Sequence, residues 1–406
     1  MFMDQNYLCN QAQEHVNYLC NILQERRVGG DGNRKATTYF KHFVEQQGWL
    51  VEETELDVID WRTAGAQLIC DQESFDVESS PYSLGCDVKG ELIAINTLEQ
   101  MKERSIDGKI VFLYGEIAAE QISPKNFVFY NPEHHQELVA TLENGNPLAL
   151  VCATEHNSAV AGGVYPFPLF EDGDFDIPSV FMKDTEGEKL LHCDGKIVTL
   201  ISKAKRIPSK AFNIVARKGD TTAPKMVISA HIDAKIGTPG AIDNATGVSV
   251  LLLLSELLKD YSGKYLIELV AFNGEDYYSV PGQMKYIEQH QGDFEQVLLN
   301  INIDGAGYHT GGSAFSPFDL PEPMQTTLDE VIKNQDHIEL GAPWVQGDHS
   351  IFVQFGRPAI AVTSSWFIEN MECQEITHTP KDHPGIVNFE RLSEISKVIQ
   401  NFLLKI

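Results

Sequence analysis

The second half of the chain alternates runs of apolar residues with segments of helical spacing. Met226–Ser229, Tyr265–Phe272, Val297–Ile303 and Ala359–Val362 are mostly apolar runs of strand length, the pattern of strands covered on both faces. Between them, Gly247–Leu258 and the stretches near 282–290 and 322–334 read as helices. The last helix starts near Asn388 and carries Phe389, Leu392, Ile395, Val398, Ile399, Phe402 and Leu403 on one face. At the amino terminus, residues 7–23 place Val16, Leu19, Cys20 and Leu23 on one stripe. Residues 33–48 repeat Ala36, Tyr39, Phe40, Phe43 and Val44 at helical spacing, and Trp49–Ile59 reads as extended. The stretch 62–206 differs. Short strand-like runs (Leu92–Ile95, Ile110–Tyr114, Ala149–Cys152) are separated by Gly, Pro, Asn and Asp, and helical periodicity is weaker. The pattern predicts a three-layer α/β/α sandwich with a mostly parallel central sheet over 1–61 and 207–406, interrupted by an inserted β-rich domain over 62–206.

A chain of 406 residues suits two domains, and 43% hydrophobic with 22% charged residues is ordinary for a globular enzyme. Its formal charge of −27 repels nucleic acid and anionic membranes, so neither is an expected partner. The longest apolar run, Val248–Leu254 with Ser249 inside it, is far short of the roughly 20 residues a bilayer requires. The amino terminus lacks a basic segment followed by an apolar one, and the cysteines (9, 20, 70, 86, 152, 193, 373) form no CxxC pair. Free buried thiols and a cytoplasmic location are the expectation, secretion following only if a leader has been removed.

Candidate chemistry gathers where the apolar runs end. His231, Glu275, Asp276 and Asp304 each follow a predicted strand, and ligands of parallel α/β sheets collect at the carboxyl ends of strands. Asp243 lies in the glycine-flanked Gly240–Gly247 segment, and His378 lies downstream. Singly, an Asp after a strand more often caps a turn, and a lone His is more often structural. Together, His231, Asp243, Asp276, Asp304 and His378 make a mixed imidazole and carboxylate set suited to two zinc ions, with cobalt or manganese as substitutes. Asp233, two residues after His231, is positioned to accept the other ring N–H and fix the tautomer.

These segments carry a resemblance. His231-Ile232-Asp233, Gly240–Gly247, Phe272–Asp276, Asn302-Ile303-Asp304, Gly347-Asp348-His349 with Phe352, and His378–Asp382 occur in the order and rough spacing of the di-zinc exopeptidases related to bacterial aminopeptidases, glutamate carboxypeptidase and transferrin receptor. Arg27–Asn33 resembles that family's amino-terminal segment. The similarity covers roughly 1–60 and 207–406. Within the middle segment, Asp107–Phe112 and Phe175–Val180 resemble a protease-associated domain.

The resemblance implies that Asp243 bridges two metals, that His231 and Asp304 complete one site, and that Asp276 and His378 complete the other. It implies Glu275 as general base and a cis Asp243–Asn244 peptide. It also implies hydrolysis of a peptide's terminal bond, with the free amine favoured over the carboxylate. Carboxypeptidase or dipeptidase activity, a single-zinc glutaminyl cyclase chemistry and an inactive binding homologue are the alternatives. Where relatives usually have Glu-Glu, this chain has Glu275-Asp276, a carboxylate one methylene shorter. Tyr277, Tyr308, Trp344, Phe352 and Trp366 are candidate walls of an apolar pocket, or else packing residues, and Asp348 and His349 are candidates for shaping the substrate end of the cleft.

Overall fold

The computed structural model describes residues 4–23, 25–156, 163–371 and 373–406. Met1–Met3, on which the reading of the amino terminus partly rests, lie outside the described residues. The chain divides into two compact units: Met1–Val58 with Lys210–Met371 and Ile376–Ile406, and Ile59–Ser209 with Glu372–Glu375. The first two boundaries fall within two long strands, Leu50–Cys70 and Ile197–Lys218.

In the first unit, four parallel strands form the centre of the sheet: Leu266–Phe272, Lys225–His231, Val297–Ile303 and Ala359–Ser364, in that spatial order. The antiparallel strand Ser313–Phe318 continues the sheet beyond Ala359–Ser364, and residues 214–218 pair antiparallel with Leu266–Phe272 on the other side. Side chains alternate across the sheet. Ile267, Leu269 and Ala271 join the large core with Ile228, Ala230, Ile301 and Ile303. Covering that face are Gln5–Asn17, Thr246–Leu257, Glu322–Ile332 and Phe389–Lys405. Thr246–Leu257 is buried from Thr246 to Ser255, which is why its sequence is apolar all round rather than striped. On the opposite face, Phe272 meets Tyr286 of helix Pro281–Gln289, which in turn meets Phe352 of helix His349–Gln354. Helices on both faces of a mostly parallel sheet complete the three-layer α/β/α sandwich.

The register sets what the strand ends present. Phe272 lies beside His231, and Ile303 beside Val362. His231 and the residues just past Phe272 and Ile303 therefore emerge at one edge of the sheet.

The second unit contains Cys86–Ile95, Ile110–Leu113, Ala149–Thr154 and Ser179–Lys183 as parallel neighbours. It is richer in helix than its sequence suggests, with Leu98–Glu103, Glu133–Gly145 and Asp184–Leu190. Parallel neighbours need crossover connections, and helices supply them. Its two apolar clusters share no residue with the core of the first unit. Cys9, Cys20, Cys70, Cys86, Cys152 and Cys193 form no disulfide; Cys373 is exposed, whereas Cys20, Cys70, Cys152 and Cys193 are buried. Among the described residues, no helix is long and apolar enough to cross a membrane.

Candidate metal centre

His231 ends its strand fully buried. Its Nε2 lies 3.1 Å from Asp243 Oδ1 and 3.5 Å from Asp304 Oδ1. The other oxygen of Asp243 lies 3.1 Å from His378 Nε2, which is also 3.0 Å from Asp276 Oδ1. The two imidazoles thus face opposite oxygens of one carboxylate, and each has a further carboxylate of its own. All five side chains expected from the sequence to hold metal meet here.

The donor set fits divalent cations. With bonds of about 2.0–2.1 Å in a tetrahedral arrangement, neighbouring donor atoms stand roughly 3.3 Å apart. The four N···O separations bracket that spacing. Both ring nitrogens of His231 and Oδ2 of Asp276 are buried without a hydrogen-bond partner. Buried polar atoms are ordinarily paired, so orphans on a converging donor set point to an ion. His231, Asp243 and Asp276 each bring a donor atom within 4.8 Å of the other two.

The surrounding chain holds this geometry through backbone bonds. Asp233 accepts from the amides of Gly274 (2.6 Å), Glu275 (3.3 Å) and Asp276 (3.0 Å), which fixes the turn bearing the last two. Its Oδ1 is 3.7 Å from His231 Nδ1, too long for the hydrogen bond expected from the sequence. The carboxylate's demonstrable work is on the turn. Asn273 donates to the Asn33 side chain and receives from it, at 3.0 and 2.9 Å, while Asn213 accepts from the Asn273 amide. Asn244 follows Asp243 across a cis peptide and donates to Ile303 O, the residue before Asp304. Gly247 is required beside it: a Cβ there would sit 2.4 Å from Asn244 Oδ1 and 2.5 Å from Ile303 O.

Electrostatics follow from packing like and unlike charges away from water. Burial alone would depress both histidines. For His231 the carboxylates of Asp304, Asp233 and Asp243 outweigh it, and for His378 those of Asp276 and Asp243 do, so both are raised well above the usual value. Asp243, held between two imidazoles, is lowered despite its burial. Burial raises Glu275 well above the carboxylate range, with Asp276, Asp304 and Asp348 adding to the effect against the opposing charge of His231. Glu275 is only half-buried. Asp348, buried and bonded at 2.7 Å to Gln283 Nε2, is pushed up to about 7 by desolvation. His349 donates from Nε2 to Trp344 O (2.8 Å) and is lowered to about 4, chiefly by burial.

The aromatic candidates separate by burial. Tyr277 and Phe352 are core residues. Tyr308 and Trp366 are half-buried with ring centroids 4.9 Å apart, and Trp344 is half-buried against His349. The sequence reading gave no role to Asn33, Asn213, Arg26 or Asp382, although Asn33 and Asp382 end the Arg27–Asn33 and His378–Asp382 segments that carry the resemblance. Asn213 stands between Phe212 and Ile214 and Asn33 closes a glycine-rich stretch, signals that by themselves mark turns as readily as sites; Arg26 and Asp382 stand beside other charges.

A second grouping, Glu120, His134 and His135, lies in the other unit. There the Ser123 amide donates to His135 Nδ1 at 3.1 Å, which places the ring proton on Nε2, 3.2 Å from Glu120 Oε1. That pattern satisfies the trio by hydrogen bonds.

Residues 213–403 match the sequence pattern of Peptidase family M28. Aminopeptidase YwaD of Bacillus subtilis (strain 168) is 24% identical over 236 residues, 55% of this chain and 50% of that protein. YfbL of Escherichia coli (strain K12), an uncharacterized protein, is 24% identical over 45% of this chain and 67% of its own length. Among solved structures, a zinc aminopeptidase from Bacillus subtilis superposes with a TM-score of 0.76 at 19% identity, covering 98% of this chain and 95% of its own. An aminopeptidase from Aneurinibacillus sp. strain AM-1 gives 0.75 at 18% identity, covering 98% and 93%. A Fimbriiglobus ruber glutaminyl cyclase shares the fold more loosely, with a TM-score of 0.52 at 11% identity over 97% and 94%. The fold therefore hosts more than one chemistry, and function has to be argued from the site.

Proposed function

Taking residues 213–403 as a member of peptidase family M28, we propose that the chain is a metal-dependent exopeptidase of the aminopeptidase kind, holding two zinc ions. The observation that carries this reading is the Asp243 carboxylate, set between His231 and His378 with a separate carboxylate beside each. His231, Asp304 and Asp243 would hold one ion, and His378, Asp276 and Asp243 the other. When bound, such ions acidify water and polarise the scissile carbonyl. The remaining work falls to the protein. Glu275, half-buried and raised by its surroundings, takes a proton from the attacking water at its carboxylate and delivers it to the departing amine. Asp233 keeps Glu275 and Asp276 on one rigid turn, so that base and ligand hold a fixed separation. Residues 62–206 we read as a protease-associated-like insert, supported by the Asp107–Phe112 and Phe175–Val180 segments.

Chromogenic aminoacyl substrates, their N-blocked counterparts and carboxyl-terminal reporters, assayed before and after chelation, test the reading. Cleavage confined to free-amine substrates and abolished by chelation is expected. Glu275→Gln should keep its zinc while kcat falls at least about 100-fold, the usual cost of losing a general base. Undiminished turnover in that variant would remove Glu275 from the role, and cleavage of N-blocked substrates alone would remove the aminopeptidase assignment.

A further inference from the structure

Two buried charged residues, neither hydrogen-bonded nor ion-paired to a proposed metal ligand's side chain, converge on the turn carrying Asp243. Three consecutive amides of that turn end on one residue: Ala241 donates to the backbone oxygen of Asp382 (3.3 Å), Ile242 to its Oδ1 (2.7 Å) and Asp243 to its Oδ2 (3.1 Å). Asp382 is fully buried, and a carboxylate is an acceptor only, so both oxygens suit two facing N–H groups. It lies four residues after His378, in the loop that precedes Pro384–Ile386. Thr238 Oγ1 donates to Thr379 O (2.9 Å), and the Asp382 amide donates to the same oxygen (3.1 Å). His378 itself adopts a left-handed backbone with φ 61°. The loop bearing one imidazole is thereby stitched to the turn bearing the shared carboxylate.

Arg26 holds the opposite side of that turn. Its Nη2 donates to Gly240 O (2.7 Å), its Nη1 to Pro239 O (2.9 Å) and Leu19 O (3.1 Å), and its Nε to Ile232 O (3.1 Å). Ile232 directly follows His231. A guanidinium presents its donors in a rigid planar fork, which a flexible ammonium cannot reproduce. One side chain therefore ties the carbonyl after His231 to the carbonyls entering the Asp243 turn.

We infer that Asp382 and Arg26 are positioning residues: they clamp the Pro239–Asp243 turn from its amide and carbonyl sides, and so bring His231, Asp243 and His378 into register before metal binds. This rests on the peptidase reading only for what the turn is used for; the clamp itself can be measured without metal or substrate.

The test uses the full chain with Asp382→Asn and, separately, Arg26→Lys. Amide hydrogen exchange of the metal-free protein reports the clamp, and zinc titration against a chromophoric chelator reports its purpose. Asp382→Asn places an N–H donor against an N–H donor. Exchange over 241–243 should accelerate at least about tenfold while amides of the central strands, such as Leu269 and Ile301, keep their protection. Zinc affinity should fall roughly 10–100-fold, the usual cost of losing a group that orients a ligand. If Asp382→Asn does not fold, Arg26→Lys asks the same of the same turn from its carbonyl side. Wild-type protection over 241–243 in the variant, or equal acceleration across the whole sheet, overturns the inference. A wild-type chain that binds no zinc, with a turn that still answers to Asp382→Asn, removes the peptidase reading and leaves the clamp. Zinc binding by the wild type, with a turn indifferent to both variants, does the reverse.

Discussion

Asp276 shows how a single methylene is absorbed. Its amide is pinned 3.0 Å from Asp233 Oδ2, and its Oδ1 already reaches 3.0 Å from His378 Nε2. The turn thus stands close enough to His378 for the shorter carboxylate, at a position where the resemblance implies Glu. Restoring Glu would push an extra methylene into a buried site, and overpacking of that kind costs typically 1–3 kcal/mol. Asp276→Glu should therefore unfold more easily in urea and bind zinc more weakly than the wild type. A variant that is equally stable and binds zinc more tightly would show that the site is strained by the short side chain instead. Four of the donors were readable in the sequence, because each sits where an apolar run stops or where glycines break the chain, whereas His378 stood out only through the resemblance carried by His378–Asp382. Arg26 and Asp382 had no readable role. They act on carbonyls and amides, which every residue has, and beside Arg27 and Lys381 they look like ordinary surface charges.

Elements were readable in proportion to the regularity of their apolar spacing. Val297–Ile303 and the carboxyl-terminal helix coincide closely with their sequence patterns. Ser313–Phe318 was hidden because Ser316 and Pro317 interrupt its apolar run, although it is a well-paired strand beside Ala359–Ser364. Glu133–Gly145 was missed in the stretch read as β-rich, where a buried His135 stands among the apolar positions Leu138, Val139 and Leu142. Helix Gln5–Asn17 carries a similar buried imidazole with a measurable consequence. His15 is 2% exposed, its Nδ1 is 2.7 Å from Tyr39 Oη, and burial lowers it to about 4. A histidine depressed in the folded state binds fewer protons there than in the unfolded chain. Its contribution is complete above about pH 6.5 and is lost as pH falls toward 4. Between pH 7 and pH 5 that loss amounts to about 2 kcal/mol. In metal-free protein, His15→Leu should reduce the acid-induced loss of stability by about that amount, read from urea unfolding at the two pH values. Identical pH slopes in the two proteins would mean that His15 takes up its proton equally in the folded and unfolded states.

At the scale of the whole molecule, the proposed metal ligands come from distant parts of the sequence, yet all belong to one unit. His231, Asp243, Asp276, Asp304 and His378 lie within Lys210–Met371 and Ile376–Ile406. The other unit has apolar clusters of its own and contributes none of them. A ligand that binds only the folded form stabilises what it binds by RT ln(1 + [L]/Kd), which is about 4 kcal/mol at a thousandfold excess over Kd. For a unit of this size, 1 kcal/mol moves a midpoint by roughly 2–4 °C. Zinc should therefore raise one calorimetric transition by roughly 10 °C and leave the other near its metal-free temperature. Chelation should reverse only that shift. The transition that moves should also be the one lowered by Asp276→Glu, because the same donors set both effects. Two transitions rising together by the same amount would mean that zinc also binds outside the site described, with Glu120, His134 and His135 the first residues to replace. A zinc-indifferent thermogram would mean that the five side chains meet without forming a metal site, and the peptidase reading would fall with it.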